Sequence, residues 1–335
     1  GQDTLKLLTE YGWPREFNPA SLQEAEKQAK SWLDGTCKHT PTDLRDWAFV
    51  TIDGQDAKDF DDAVYAHYEK GELRLSVAIA DVSHFVKENS VLDQEARLRA
   101  TSVYFPDHVV PMLPEVLSNG VCSLRPNEEK TTLVCHMVIG KNGKVEQYQF
   151  EQALIKSHKR FTYNEFEENW KNKGNDSDLP KAVSQNAEKL IEVYTRLACA
   201  RKKRGALELD IPEMFIVLDR DGEVAELVAR ERLDSHRLIE ECMLAANESA
   251  AKFLNENHQK TAGMYRIHTP PEEKKIEELI KTLSLLGIPI DFELNTAKDF
   301  EKAILVLEKH CQDKSRTLKL ALNYLFLRTM QQARY

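Results

Sequence analysis

The chain has 335 residues, of which 41% are hydrophobic and 30% charged, and its formal net charge is −9 at pH 7. This composition is typical of a globular protein with a sizeable core, and it excludes a low-complexity or fibrous chain. No apolar run approaches the roughly 20 residues that a membrane span needs. The six cysteines are scattered without a Cys-x-x-Cys pair. We therefore expect reduced thiols in a cytoplasmic protein with no membrane partner.

Residues 1 to about 45 are expected to form a lead-in with one helix around SLQEAEKQAKSWL. A β-rich block follows, in which WAFVTID is a strand ending at Asp53, and AVYAHYE, KGE and LRLSVAIADV form a hairpin. VLDQEARLRATSVYF is predicted to be helical. The segment 106–127, which contains four prolines, is predicted to be an ordered irregular loop. An Asn-Gly turn then predicts a second hairpin over TTLVCHMVIG and VEQYQFEQALIKS.

Helices dominate after residue 163. Apolar residues at helical spacing predict a helix over 182–204 that stops at Gly205, and a third hairpin turns at DRDG. Further helices are predicted around 232–256, 271–286, 297–311 and 316–332. The predicted class is α+β, with a mixed or antiparallel sheet and packed helices. The amphipathic helix that reaches Tyr335 indicates that the fold of the parent protein continues beyond it.

Five aspartates lie within ten residues of the segment TIDGQDAKDFDDA: Asp53, Asp56, Asp59, Asp61 and Asp62. A solvated acidic loop is the simplest interpretation of such a run. These acids, however, alternate with apolar residues and directly follow an apolar strand, where buried carboxylates are costly unless a cation compensates them. An EF-hand calcium loop is excluded because, counting from Asp59, its third ligand position is Ala63 and its glycine position is Val64.

The interpretation that remains is a magnesium site for phosphodiester cleavage. An aspartyl-phosphatase site is excluded, because its motif needs Asp-x-Asp at the strand end and this strand ends in Asp-Gly-Gln-Asp. Mg²⁺ prefers carboxylate oxygens and keeps some of its positions for water and substrate phosphate. Two such ions about 4 Å apart activate a water and stabilise the leaving oxygen. The carboxylates alone also fit a magnesium-dependent phosphohydrolase that acts on small molecules.

Four segments in order carry a resemblance to a known family: TIDGQDAKDFDDAV, LSVAIADVSHFV, LDQEARLRATSVYFPDHVVPMLPEVLSNGVCSL and HRLIEECMLAAN. Together they resemble the catalytic (RNB) domain of the ribonuclease II and ribonuclease R family, with details that lean towards the ribonuclease R branch. The resemblance implies a lead-in over 1–45 and an RNB catalytic domain over 46–335. It also implies a magnesium-dependent 3′-to-5′ exoribonuclease that degrades single-stranded RNA to nucleoside 5′-monophosphates. The alternative is a weak or inactive RNA-binding scaffold on the same fold.

The resemblance assigns the catalytic acids and magnesium ligands to four aspartates: Asp53, Asp59, Asp61 and Asp62. Asp56 matches no family position, so we expect it to be a solvated loop residue. Tyr104 is similar to the family tyrosine that contacts the 3′-terminal nucleotide at the active site. Tyr163 and one of the pair Glu240 and Glu241 resemble residues that help to recognise ribose, which requires a contact with the 2′-hydroxyl.

The acidic net charge taken alone argues against nucleic-acid binding, because phosphate neutralisation needs lysine and arginine. The sequence nevertheless has local clusters of basic residues. Lys159 and Arg160 are predicted RNA contacts, whereas helix capping and RNA contact both remain open for 201–204. Leu209 stands near the place where family members carry a second base-stacking aromatic. The resemblance also puts the family's RNA-gripping OB-fold domains and an arginine-rich segment outside this chain. We therefore expect the chain to be a catalytic-domain fragment.

Overall fold

The computed structural model describes residues 2–35, 41–106, 108–172, 179–207, 209, 211–257, 265–311 and 316–335. The chain divides into two compact units. The first comprises Gly1–Arg196 with Met214–Ala246, and the second comprises Leu197–Glu213 with Asn247–Tyr335. No helix among the described residues is long and apolar enough to cross a membrane.

Helices and strands are interspersed along the described part of the chain. The helices are α1 Gln2–Glu10, α2 Pro19–Leu33, α3 Val82–Phe85, α4 Val91–Arg99, α5 Tyr163–Lys171, α6 Lys181–Arg204, α7 Asp234–Asn257, α8 Glu273–Leu285, α9 Ala297–Cys311 and α10 Arg316–Thr329. The strands are β1 Thr42–Asp43, β2 Val50–Asp53, β3 Asp62–Glu69, β4 Glu72–Ala80, β5 Val103–Tyr104, β6 Val109–Val110, β7 Glu129–Ile139, β8 Val145–Lys156, β9 Lys159–Thr162, β10 Glu213–Leu218 and β11 Val224–Arg230.

The first unit is built on a mixed sheet whose strand order, within the described part of the chain, is β1-β8-β7-β4-β3-β2-β9. Within this sheet β2 pairs antiparallel with β3, β3 with β4, β4 with β7, and β7 with β8. The two outer strands pair in parallel, β1 with β8 and β9 with β2. Lys70 and Gly71 link β3 to β4, and both have positive φ (51° and 83°). Such a two-residue turn matches the right-handed twist of the flanking strands. The predicted α+β class is confirmed.

Helix α2 contributes to the buried cluster that includes one face of the sheet. Ala25 and Ala29 of α2 share a buried cluster with Ala63, Ala78 and Val134 of the sheet. Helix α2 itself packs against α3, α4 and the turn Val116–Val121, and each apolar group buried in this cluster contributes to stability by leaving water. The predicted helix of the lead-in is therefore an integral part of the first unit's core.

Asn186 of α6 bonds to the main chain of β3 and of the segment that precedes β2. This buried amide accepts a hydrogen bond from Ala66 N (2.8 Å), and its Nδ2 donates to Ala48 O (2.8 Å) and Val64 O (3.2 Å). Three main-chain groups are thus satisfied by one side chain in a buried setting, where an unmade hydrogen bond costs roughly 1–3 kcal/mol. Asn186 therefore ties α6 to β3 and to the residues that lead into β2.

The second unit is helical in the described residues. Leu283 of α8, Phe300 and Leu307 of α9 and Phe326 of α10 form its buried core. Leu209 is half-buried against this core, so its side chain serves packing within that unit. Gly205 ends α6 with φ +82°, a left-handed conformation that favours glycine at a helix C-terminus.

Two predicted elements between β4 and β7 need correction. The prediction of a helix throughout VLDQEARLRATSVYF is wrong, because α4 ends at Arg99 and Ala100 turns the chain with φ 62°. The next residues then form β5, which pairs with β6, and Val103 favours a strand because it is β-branched. The segment 106–127 is only partly irregular, since it contains β6 and a π-helical turn, Val116–Val121.

Candidate active site

Four of the five clustered aspartates lie in or beside the strand ends at one edge of the sheet. Asp53 is the last residue of β2 and Asp62 is the first residue of β3. These strands pair antiparallel, so the end of one and the start of the other lie at the same edge. The linking loop, 54–61, carries Asp59 and Asp61. Asp53, Asp59 and Asp62 are half-buried, whereas Asp61 is exposed.

Burial and neighbouring carboxylates raise the pKa of Asp53, Asp61 and Asp62. Burial and the nearby Asp62 raise the pKa of Asp53 to about 7, although Arg160 opposes the shift. Burial and Asp61 raise the pKa of Asp62 to about 6. Although Asp61 is exposed as a whole residue, partial desolvation of its carboxyl group and the charge of Asp59 also raise its pKa. This pattern is that of like charges gathered where water is partly excluded.

The donor set fits a hard divalent cation. Asp53 Oδ2 is buried and has no hydrogen-bond partner, which is costly for a carboxylate unless a cation compensates it. Oxygen ligands of this kind are those that Mg²⁺ prefers. No group of three or more histidine, cysteine or acidic side chains stands ready to bind a metal in the described ranges. The carboxylates are thus grouped electrostatically without being arranged as a closed cage.

Tyr104 reaches the aspartate edge from β5. Its hydroxyl donates to Asp59 Oδ2 at 3.4 Å, while 66% of the residue's surface remains exposed. Burial of the phenol and the charge of Asp59 raise the pKa of Tyr104. The structure therefore puts an accessible aromatic ring directly beside one of the predicted metal ligands.

Arg160 and Lys159 lie on β9, the parallel neighbour of β2. Arg160 Nη2 donates to Gly54 O (2.7 Å) and Gln55 O (2.9 Å), so its guanidinium holds the start of the aspartate loop. Lys159 Nζ lies 5.5 Å from the ring centre of Phe161. RNA contact by these two cations stays a prediction, and the observed bonds give Arg160 a role that its position in the sequence did not reveal.

Tyr163 is placed by a helix start that the sequence encodes locally. Thr162 and Glu165 form a capping box, with hydrogen bonds of 3.1 and 2.6 Å between each side chain and the other's main-chain N–H, and this begins α5 at Tyr163. The Tyr163 ring stacks on His236 with centroids 3.9 Å apart. Ser235 Oγ also donates to Tyr163 O at 2.9 Å. His236 could not be predicted as a site residue, because no local sequence pattern joins it to Tyr163.

The first turns of α7 bring Glu240 and Glu241 near the aspartate edge. Asp62 is among the groups that raise the pKa of the buried Cys242 thiol, after burial itself, so this aspartate lies close to α7. Glu241 is buried beside Cys242, whereas Glu240 forms an ion pair with Arg232. The two glutamates therefore differ in their surroundings, and the buried Glu241 is the better candidate for a contact near the aspartates.

The fold is that of an RNB domain. The model of the RNB domain family matches residues 41–335, so this chain belongs to that family. Within it, the chain is 39% identical over 284 residues to ribonuclease R of Escherichia coli strain K12, covering 84% of this chain and 34% of that protein. It is 41% identical over 298 residues to ribonuclease R of Thermotoga maritima, covering 88% of this chain and 40% of that protein.

A solved structure gives the same result. Mycoplasma genitalium RNase R, in complex with ribose-methylated single-stranded RNA, matches 97% of this chain and 50% of that chain, with a TM-score of 0.86 and 30% identity. The predicted resemblance and the RNB-type fold are therefore confirmed. The chain spans 34% and 40% of the length of the two curated relatives.

Proposed function

We propose that this chain is the catalytic domain of an exoribonuclease that hydrolyses single-stranded RNA from its 3′ end and releases nucleoside 5′-monophosphates, with Mg²⁺ as its cofactor. The supporting observation is that burial and neighbouring carboxylates raise the pKa of Asp53 and Asp62, and that one buried oxygen of Asp53 has no partner. A scaffold that only bound RNA would have no use for carboxylates that repel one another. Membership of the RNB domain family supports the same choice.

The positions of the side chains support the role proposed for each. Asp53, Asp59, Asp61 and Asp62 would hold the cation. The chemistry that Mg²⁺ supplies when bound is activation of a water and neutralisation of charge on the scissile phosphate. Tyr104 offers its exposed ring to the terminal nucleotide beside Asp59. Tyr163 and Glu241 would contact the ribose, where the 2′-hydroxyl separates RNA from DNA.

Labelled substrates test this function. With Mg²⁺, a 5′-labelled single-stranded RNA should shorten progressively from its 3′ end and yield 5′-monophosphates, while the matched DNA strand should be a poor substrate. Asp61→Asn should abolish nearly all of this hydrolysis. Asp56→Asn is the matched control, because Asp56 is an exposed aspartate of the same loop, and it should leave hydrolysis intact. Internal cutting, or equal rates for both aspartate variants, would contradict the proposal.

A further inference from the structure

The backbone on either side of Asp59 is held by one buried hydroxyl from a distant segment. Ser123 has no exposed surface. Its Oγ accepts a hydrogen bond from Phe60 N (3.0 Å) and donates one to Lys58 O (2.9 Å). A serine hydroxyl has one proton to donate and lone pairs to accept, so these two bonds use both of its capacities on the neighbours of Asp59.

The next residue extends this attachment. Leu124 N donates to Phe60 O at 2.8 Å, and the Phe60 side chain is buried in the core cluster of the first unit. Asp61 O then accepts from Ala80 N at 2.9 Å. In the second half of the aspartate loop, hydrogen bonds are thus made on both sides of Asp59 and at the carbonyl of Asp61 itself.

The first half of the loop is fixed independently. Arg160 comes from β9 and donates to the carbonyls of Gly54 and Gln55, with its guanidinium 5.5 Å from the ring centre of Phe60. The loop is therefore held at both ends by side chains from outside it. This matters because a loop that carries repelling carboxylates would otherwise relax by spreading them apart.

We propose that Ser123 is a positioning residue, whose hydroxyl fixes the backbone around Asp59 so that Asp59 and Asp61 stay at distances from which they bind Mg²⁺ together. This inference rests on the proposed function. Mg²⁺ demands near-ideal octahedral geometry, and a misplacement of about 1 Å at a reacting centre costs on the order of 100-fold in rate. Ser123 has no exposed surface, so bulk water does not compete for these two bonds.

A pair of buried serines tests the proposal. Ser123→Ala removes both bonds around Asp59, and Ser157→Ala is the matched control, since Ser157 is 1% exposed and donates to Lys159 O at 3.3 Å. Thermal unfolding is measured in EDTA and with Mg²⁺ alone. Both variants should unfold at lower temperature in EDTA, but only Ser123→Ala should lose most of the stabilisation that Mg²⁺ gives the wild type.

Activity then distinguishes positioning from general support. Ser123→Ala should need about 10-fold more Mg²⁺ for half-maximal nucleotide release, with an unchanged KM for RNA, and its kcat at saturating Mg²⁺ should fall about 10- to 100-fold. Ser123→Thr keeps the hydroxyl and should restore the wild-type Mg²⁺ response. If Ser123→Ala does not fold, Ser123→Cys, whose thiol is a weak donor, is compared with Ser123→Thr by the same measurements.

The possible outcomes separate the two proposals. A Mg²⁺ stabilisation in Ser123→Ala equal to that in Ser157→Ala overturns the role of Ser123, while loss of hydrolysis in Asp61→Asn still supports the exoribonuclease. If the wild type releases no nucleotide, the proposed function fails. The Mg²⁺ response of the unfolding temperature, measured without RNA, then still decides whether Ser123 positions the aspartates.

Discussion

Two regions of the same sheet differ in whether protein groups satisfy their acidic side chains. On β8, Glu151 Oε1 lies 2.8 Å from His136 Nε2, and Glu151 Oε2 accepts from Thr42 Oγ1 at 2.7 Å. At the aspartate edge, Asp53 Oδ2 is buried without a partner and the pKa of Asp53 is raised to about 7. An acid that serves the fold is satisfied by protein groups. An acid that is left unsatisfied beside other acids indicates a ligand that the fold does not supply.

Asp81 sharpens the comparison, because it is also an aspartate and is only 6% exposed. It caps α3, where its Oδ1 accepts from Ser83 Oγ (2.6 Å) and His84 N (3.2 Å), and its Oδ2 accepts from Gln152 Nε2 (3.1 Å). Burial alone therefore does not distinguish Asp53. The distinguishing features are its missing partner and the like charges around it.

The largest expected effect is on activity. Asp53→Asn removes a predicted ligand, and because losing one positioned electrostatic group typically costs about 100- to 1000-fold in rate, nucleotide release should fall by that factor. Glu151→Gln, in the paired region, should leave the release rate close to that of the wild type. Initial rates on labelled RNA at saturating Mg²⁺ measure both. Equal losses in the two variants would mean that the two acids do not differ in role.

The second effect is on the free energy that Mg²⁺ adds to folding. A ligand at 100 times its Kd stabilises the folded state by about 2.7 kcal/mol, which raises the unfolding temperature by several degrees in a protein of this size. Calorimetry at pH 7.5 with and without Mg²⁺ should show this increase in the wild type. It should be much smaller in Asp53→Asn and undiminished in Glu151→Gln. If Mg²⁺ did not raise the unfolding temperature of the wild type, the result would contradict the proposed metal site.

The third effect is the dependence of stability on pH without metal. The pKa of Asp53 is about 7 in the folded chain, against an ordinary value of 3.8, so the folded state binds the extra proton between these values. The free energy of unfolding should therefore be highest below pH 4 for this group and fall as pH rises towards 7. Asp62, with a pKa of about 6, adds to the fall. Unfolding in EDTA between pH 4 and 8 should show a shallower decline in Asp53→Asn.

Sequence reasoning succeeded where the signals are local. The β3–β4 and β7–β8 hairpins have turn residues between alternating strands, and the structure has both. The parallel pairing of β9 with β2, which connects Thr51 with Arg160, has no local signal and was not predicted. The helix prediction ran past Arg99 because helical spacing does not show where a β-branched strand begins.

The same limit applies to the candidate site. The spacing of the aspartates and their place after a strand were visible from the sequence, so the acids themselves could be predicted. Ser123 accepts a hydrogen bond from the Phe60 amide, which is 63 residues away in the sequence. Arg160 donates to the Gln55 carbonyl, which is 105 residues away. Contacts at such separations are created by the fold. The acids were therefore visible in the sequence, and the groups that hold them were not.

The smallest expected effect concerns the discrimination between RNA and DNA. Stacking of His236 on Tyr163 at 3.9 Å holds the ring that is proposed to contact ribose, and an aromatic pair is worth about 0.5–1.5 kcal/mol. His236→Ala should therefore lower the RNA-to-DNA ratio of kcat/KM by about 2- to 10-fold. His84→Ala is the matched control, because His84 packs edge-on against Trp32, and any loss of folded protein cancels in the ratio. An unchanged ratio in His236→Ala would show that Tyr163 needs no support from this stack or does not contact the ribose.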